Sequence, residues 1–372
     1  MKKSTKWIVF GVLTVIFAFG IFLEWLYPPL PKYTGEIPLN ALQKEVEVYT
    51  DDYGVPHIFA NNEKDLFFVA GYIAARERLF QLSMVALAVK GELASVLGDS
   101  YLKTDIYLRT WRIQKVAEQL VKAMKPKNKL IFDSFCSGIN QWIEESKNDL
   151  PVEFKILRME PSLWSPVIVA GYTRMMAHEM SGSWKPEIVF GAVAEYFGKE
   201  KLLELIPESE FDLPSIAKVD SEMLSPIYTE VLNQEIQLRN LFGDFSADIG
   251  SNSWVVSGQK TITGKPFLAN DPHLAFSQPP RWYEIHLKGG RFNVSGYCLA
   301  GIPMPVIGQN ENTAWGFTNS MVDDLDFFIE KINPNNKDQY LYGGEWKTFL
   351  REKEVIPLKS GKDTTIIVRT SV

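Results

Sequence analysis

The sequence predicts an α+β protein on two observations. Apolar residues recur at helical spacing through most of residues 31–248, and after Gly250 short β-rich runs alternate with Gly, Pro and Asn turns. Neither an internal repeat nor a low-complexity tract interrupts that division. Of the 372 residues, 46% are hydrophobic and 23% charged, a globular composition that rules out disorder, collagen and a polytopic membrane protein. The net charge of -6 leaves no basic excess to neutralise phosphates, which argues against a nucleic-acid partner. An aromatic content of 13% suits a large core or an apolar ligand cleft.

Taken in order, Lys2, Lys3 and Lys6 precede an uncharged run from Trp7 to Leu23. As a helix that run spans roughly 25 Å, near the lower limit for crossing a bilayer. A cationic start with an apolar centre marks an export signal, and a run apolar on every face fits poorly as a core helix. No A-x-A site follows, and Trp25 and Tyr27 are placed to sit at the interface. An uncleaved signal anchor is therefore favoured over a cleaved peptide, with the body extracytoplasmic, membrane-anchored or secreted. Residues 1–30 are read as signal anchor or signal peptide and tether, the proline-rich tether (Pro28, Pro29, Pro31, Pro38) covering residues 28–40 after the anchor.

Residues 31–250 form the helical region. It opens with two short strands: Val46, Val48 and Thr50 alternate with polar residues, and His57–Ala60 follows the turn Tyr53-Gly54-Val55-Pro56. Asn62 then caps a long helix to about Lys90, stopped by Gly91, with Leu66, Val69, Ala70, Ile73, Leu79 and Leu82 at 3.6-residue spacing. Further helices fit 113–124, 129–146, 167–180 and 188–208. Residues 215–250 are polar, helix-like and uneven, the composition of a linker or spacer. From Ser251 to residue 372 the chain is sheet-rich: Ser253–Val256, Phe267–Ala269, Trp282–Leu287, Phe292–Val294, Ala314–Thr318, Phe327–Glu330 and Thr364–Val368 read as strands. The two cysteines, Cys136 and Cys298, permit one disulfide, but their apolar flanks fit two buried thiols better.

The common catalytic signatures are missing. There is no G-x-S-x-G, no H-E-x-x-H, no phosphate-binding glycine loop, no EF-hand loop and no C-x-x-C. Four histidines leave a Ser-His-Asp triad open by count, yet no local pattern asks for one. The informative segment is Asp248-Ile249-Gly250-Ser251-Asn252-Ser253-Trp254-Val255-Val256-Ser257-Gly258, where helix gives way to strand. Gly264-Lys265-Pro266-Phe267-Leu268-Ala269-Asn270-Asp271-Pro272-His273-Leu274 follows it. With Asp52-Tyr53-Gly54-Val55-Pro56-His57-Ile58, Gly71–Leu79, Gly308-Gln309-Asn310, Trp315-Gly316 and Asp323-Asp324-Leu325-Asp326, these ordered motifs resemble the penicillin acylase family of N-terminal-nucleophile amidohydrolases. The resemblance runs from about residue 44 to the end. It implies the αββα sandwich of that class, incomplete here, behind a largely helical N-terminal chain.

The chemistry it implies is internally consistent. A serine hydroxyl is a weak nucleophile and needs a base. If the chain breaks before Ser251, that residue gains an α-amine of pKa about 7.7–8.0, partly unprotonated near neutrality and able to take the hydroxyl proton. One residue then supplies nucleophile and base. Cleavage would come from attack of the Ser251 hydroxyl on the Gly250 carbonyl, with water hydrolysing the ester. Gly250, lacking Cβ, can adopt the strained backbone this requires. A Ser251 far from any cleft, its backbone locked inside a regular helix or continuous strand, would end this reading and the enzyme assignment with it.

The resemblance gives His273 a supporting role at the nucleophile and makes the backbone N–H of Asn319 the main-chain oxyanion donor. It places Leu274, Val306, Ile307, Phe317 and Met176 at an apolar acyl pocket. It implies one structural Ca²⁺ on Asp323, Asp326, the Leu325 carbonyl and Glu187, the last at an imperfect spacing. His57, Arg76 and Arg78 read as structural. The expected protein is an exported, self-processing enzyme that cleaves the amide of N-acyl substrates, such as penicillin-type β-lactams or N-acyl-homoserine lactones, as an α/β heterodimer cut from one precursor. The alternatives are a membrane-tethered, non-catalytic binding protein of the same fold and an ordinary serine esterase. Family members continue past the point where this sequence stops, and their second oxyanion donor lies there, so a partial chain is expected.

Overall fold

A computed structural model describes residues 11–20, 33–205, 225–242 and 250–371, apart from 183, 275, 321, 323, 324 and 329; the side chains of a few helical residues, Glu187 among them, also lie outside the description. The chain is α+β as expected. After a helical stretch at 11–20, its elements are β1 (Glu47–Thr50), β2 (Pro56–Phe59), α1 (Glu63–Lys90), α2 (Ala94–Leu97), α3 (Leu102–Thr110), α4 (Ile113–Lys122), α5 (Pro126–Glu145), α6 (Val152–Leu157), α7 (Pro166–Met180), α8 (Trp184–Phe197), α9 (Lys199–Leu205) and α10 (Ser225–Leu241). The strands that follow are β3 (Gly250–Val256), β4 (Phe267–His273), β5 (Trp282–Gly289), β6 (Phe292–Leu299), β7 (Ile307–Gln309), β8 (Ala314–Trp315), β9 (Ile332–Asn333), β10 (Asn336–Tyr342), β11 (Glu345–Thr348), β12 (Leu350–Ile356) and β13 (Thr364–Thr370). The expected membrane span falls largely on residues 1–10 and 21–30, outside the described residues; among those described, no helix is long and apolar enough to cross a membrane.

The chain divides into two compact units. The first comprises Met1–Leu87, Ala123–Val169 and Trp282–Thr313. Its centre is α1, which starts where the sequence requires. The Asn62 side chain accepts the Asp65 N–H at 2.9 Å, and the buried Asp65 carboxylate accepts the N–H groups of Gln43 and Lys44 at 3.0 Å each. Gly91 ends the helix with φ +62. The expected apolar stripe is buried, but so are Phe67, Phe68, Tyr72, Ala74 and Ala75, so α1 is a core helix rather than an amphipathic one. It kinks at Arg78, where φ is −138° and the guanidinium lies 5.7 Å from the Tyr283 ring centroid.

Two glycines let α1 and α5 touch backbone to backbone. A Cβ on Gly71 would sit 2.0 Å from the Phe135 carbonyl oxygen, and one on Gly138 would sit 1.8 Å from that of Phe68. The unit's strands run β1-β2-β5-β6-β7, with β2 and β5 parallel and the other pairs antiparallel. The parallel register sets His57 beside His286, their Nδ1 atoms 3.1 Å apart. His286 Nε2 meets Asn293 Oδ1 at 3.1 Å, and Asn293 Nδ2 donates to Glu311. Cys136 and Cys298 are free and buried, as the sequence favoured; burial pushes both thiols up to about 12.

The second unit comprises Ala88–Lys122, Ala170–Arg281 and Ala314–Val372. The β12–β13 hairpin lies on α3 and α4 through Arg109–Glu354 and Lys115–Glu352 ion pairs at 3.2 and 3.1 Å and an Arg112–Glu352 pair. Helix α10, within the stretch read as a linker, turns a polar face inward. Glu235 is 3% exposed and is met by Lys185 at 2.8 Å, Tyr107 at 3.0 Å and His178 at 3.7 Å. Burial works to raise its pKa, but His178 and Lys185 outweigh that and hold it at about 2. Phe327 and Phe328, read as part of a strand, are not in one: Phe328 is exposed, and Phe327 sets its ring 5.8 Å from Trp184 and 6.3 Å from Trp111, an aromatic contact that takes precedence over strand propensity.

Candidate active site

Ser251 is the second residue of β3, half-buried, with residues 243–249 outside the described part of the chain. Strands β3 and β4 pair antiparallel with Gly250 opposite His273, Ser251 opposite Pro272 and Asn252 opposite Asp271. Pro272, opposite Ser251, has no N–H to give to the ladder, while the register runs unbroken through this pair. The His273 ring lies against Gly250, whose added Cβ would come 3.5 Å from Nδ1. His273 Nε2 is 2.9 Å from Asp271 Oδ2 and 3.3 Å from Asn252 Nδ2. One nitrogen cannot donate to the carboxylate and accept from the amide together, and the shorter contact assigns its proton to Asp271. The His273 side chain is 42% exposed, so water reaches this edge.

A third segment completes the group. The chain leaves β8 after Trp315, short of the expected strand end at Thr318, and residues 317–319 turn toward Ser251. The Asn319 backbone N–H donates to Ser251 Oγ at 3.3 Å. The Asn319 side chain donates to the Met180 carbonyl at 2.6 Å, at the C-terminal end of α7. That helix end is fixed by a two-point Arg281–Glu179 pair, the first contact at 2.7 Å, with both side chains under 20% exposed. A hydroxyl, an imidazole beside Gly250 and a main-chain donor thus lie within one small neighbourhood.

The remaining expected residues are spread more widely. Leu274 and Met176 are half-buried and Phe317 is 61% exposed, all in the second unit, whereas Val306 and Ile307 are half-buried in the first. Of the expected calcium ligands, Asp323 and the Glu187 side chain lie outside the described residues, Leu325 is half-buried and Asp326 exposed. Among the described residues, no group of three or more His, Cys, Asp or Glu could hold a metal ion. The expected donors are all hard oxygens, the kind calcium takes. Asn252 and Asn270 received no role from the sequence. The signal was present, since asparagine is depleted in strands and both lie inside β3 or β4.

Comparison with known proteins supplies the family. The penicillin amidase family model matches residues 45–372. An acyl-homoserine lactone acylase of Pseudomonas fluorescens (strain Pf0-1) is 29% identical over 327 residues, 86% of this chain and 40% of that protein. Penicillin G acylase of Escherichia coli is 26% identical over 397 residues, 91% of this chain and 47% of that protein. The chain therefore spans less than half the length of these relatives. A solved structure, the thermostable penicillin G acylase of Alcaligenes faecalis, matches with 26% identity and a TM-score of 0.39, over 47% of this chain and 95% of that one. With a family match running from β1 to the last residue, across the Gly250-Ser251 segment, the chain belongs to the penicillin amidase family and to its N-terminal-nucleophile hydrolase fold class.

Proposed function

We propose that this chain is an exported, self-processing amidohydrolase that cleaves the amide bond of N-acyl substrates through an acyl-enzyme on Ser251. The observation that carries the reading is the Asn319 N–H directed at the Ser251 hydroxyl at 3.3 Å. In self-cleavage, the hydroxyl adds to the Gly250 carbonyl, the Gly250–Ser251 C–N bond breaks, and water hydrolyses the resulting ester. The new α-amine of Ser251 then takes the hydroxyl proton during attack on a substrate carbonyl. The tetrahedral oxyanion gains the Asn319 N–H as donor, the amine departs with the proton, and water releases the acid. His273, fixed by Asp271, orients the Ser251 end of β3.

The relatives' names suggest the substrate class: N-acyl-homoserine lactones or penicillin-type β-lactams. Leu274, Phe317 and Met176 are the proposed acyl contacts of the second unit. One structural calcium ion on Glu187, Asp323, Asp326 and the Leu325 carbonyl would tie the two product chains together without entering the chemistry. The signal in residues 1–30 would deliver the enzyme outside the cytoplasm, anchored or secreted.

N-terminal sequencing and intact mass of the full-length protein test this. A new terminus at Ser251 is expected, with Ser251→Ala uncut and inactive toward N-acyl amides. Amide hydrolysis by that variant, or by an uncut wild-type chain, defeats the proposal. An uncut, inactive wild-type chain that binds acyl compounds would instead make it a binding protein.

A further inference from the structure

We propose that Asn270 is a positioning residue for this reaction: its carboxamide ties the segment carrying the Asn319 donor to the strand carrying Ser251. The inference rests on the acyl-transfer reading of Ser251 above and names a part of its machinery. Both ends of the carboxamide are used. Nδ2 donates to the Asn252 carbonyl at 3.0 Å and to the Phe317 carbonyl at 3.1 Å, while Oδ1 accepts the Phe317 N–H at 3.1 Å. Asn252 follows Ser251 directly, and Phe317 stands shortly before Asn319. The side chain therefore bridges both sides of the Asn319 N–H to Ser251 Oγ contact without touching either atom.

Gly316 belongs to the same device. A Cβ there would lie 2.6 Å from Asn270 Cβ and 2.8 Å from its Oδ1, so glycine is what lets the segment close onto the amide. The segment has a second attachment, the Asn319 side chain on the Met180 carbonyl. Loss of Asn270 thus removes both hydrogen bonds that hold Phe317 while the Asn319 contacts stay, which displaces the donor rather than removing it. Deleting an oxyanion donor costs about 10²–10³ in kcat, and a misplacement of about 1 Å can cost about 10². A fall of roughly 10- to 100-fold in kcat is expected, with KM held within about twofold.

The test uses full-length Asn270→Ala, Asn270→Asp and Gly316→Ala, with an N-acyl nitroanilide as substrate. Steady-state constants are normalised to Ser251 hydroxyls sealed by a sulfonyl fluoride. Support is a kcat loss at constant KM in Asn270→Ala and Gly316→Ala. Asn270→Asp, which keeps the acceptor but sets a carboxylate oxygen against the Asn252 and Phe317 carbonyls, should lose at least as much kcat as Asn270→Ala; slowed release of the Ser251 terminus counts the same way. Wild-type kcat in Asn270→Ala, a loss borne by KM, or insolubility of all three variants would overturn it, the last because it makes Asn270 a fold-holding residue. Ser251→Ala is the control. If it still hydrolyses the amide, the reading of Ser251 fails; if it is dead while Asn270→Ala is normal, only the role of Asn270 fails.

Discussion

Alanine at Gly71 or Gly138 should force α1 and α5 apart. The added carbons would stand 2.0 and 1.8 Å from backbone carbonyl oxygens of the facing helix. Carbon–oxygen contacts settle at about 3.3–3.6 Å, so each falls roughly 1.5 Å short. Neither oxygen can swing away as a side-chain tip would. Overpacking costs about 1–3 kcal/mol, and here the upper end applies, because parting the helices also loosens the buried rings of Phe67, Phe68 and Phe135. Alanine returns about 1 kcal/mol of helix propensity. Each single variant should therefore lose about 2 kcal/mol. Both demand nearly the same separation of the same two helices, so once one is made the second is largely accommodated. The double variant keeps one shared overpacking cost but returns helix propensity twice, so it should lose about 1–2 kcal/mol instead of the additive ~4. Native-state hydrogen exchange across residues 126–145 reads this locally, without assuming that a chain of two units unfolds in one step. A neutral or stabilising single variant, or strict additivity in the double, would refute the backbone-contact reasoning.

Two further outcomes concern charge. Glu235 is held at about 2 in the folded chain against about 4.3 unfolded, so its contribution is present above pH ~4.3 and is lost as pH falls from there through 2. About two units correspond to roughly 3 kcal/mol. In Glu235→Gln, exchange protection of residues 229–241 should be weakened at pH 6 by about that amount, and the difference from wild type should vanish near pH 2; a constant difference across the range counts against the ionised pair. For the mature enzyme, kcat/KM should rise with pH along a limb centred at about 7.7–8.0, where the Ser251 α-amine loses its proton. Chemical acetylation of that amine should abolish turnover, and retained activity would mean that another group is the base.

Much of the fold could be read from the sequence because local signals agreed with tertiary need. The Asn62 cap, the Gly91 stop and the alternation in β1 and β5 each report a hydrogen-bonding or burial requirement contained in a few adjacent residues. The site was legible in a different way. Ser251, His273 and Asn319 come from motif resemblance; the structure joins the first two through pairing of β3 with β4 and the third through the segment after β8, neither of which a local rule specifies. What escaped depended on partners distant in sequence. Helix α10 buries a carboxylate rather than an apolar stripe, so hydrophobic periodicity could not register it as a packed helix. Most of the hairpins between residues 332 and 356 went unread because their burial alternation is weak, and Phe327 passed for a strand residue because its Trp partners lie far along the chain. Asn270 lies within a recognisable motif, but its three hydrogen bonds reach 18 and 47 residues away.

The line of side chains crossing β2, β5 and β6 has a direction. An ionised Glu311 can only accept, so Asn293 must turn its NH₂ toward it and its oxygen toward His286. That oxygen in turn requires a hydrogen on His286 Nε2, which leaves Nδ1 of a neutral ring with a bare lone pair. The facing nitrogen of His57, 3.1 Å away, is then obliged to be the giver. A carboxylate at the far side of the sheet thereby selects the tautomer of one imidazole and the polarity of the next, and exchanging it for an amide would let the whole row reverse.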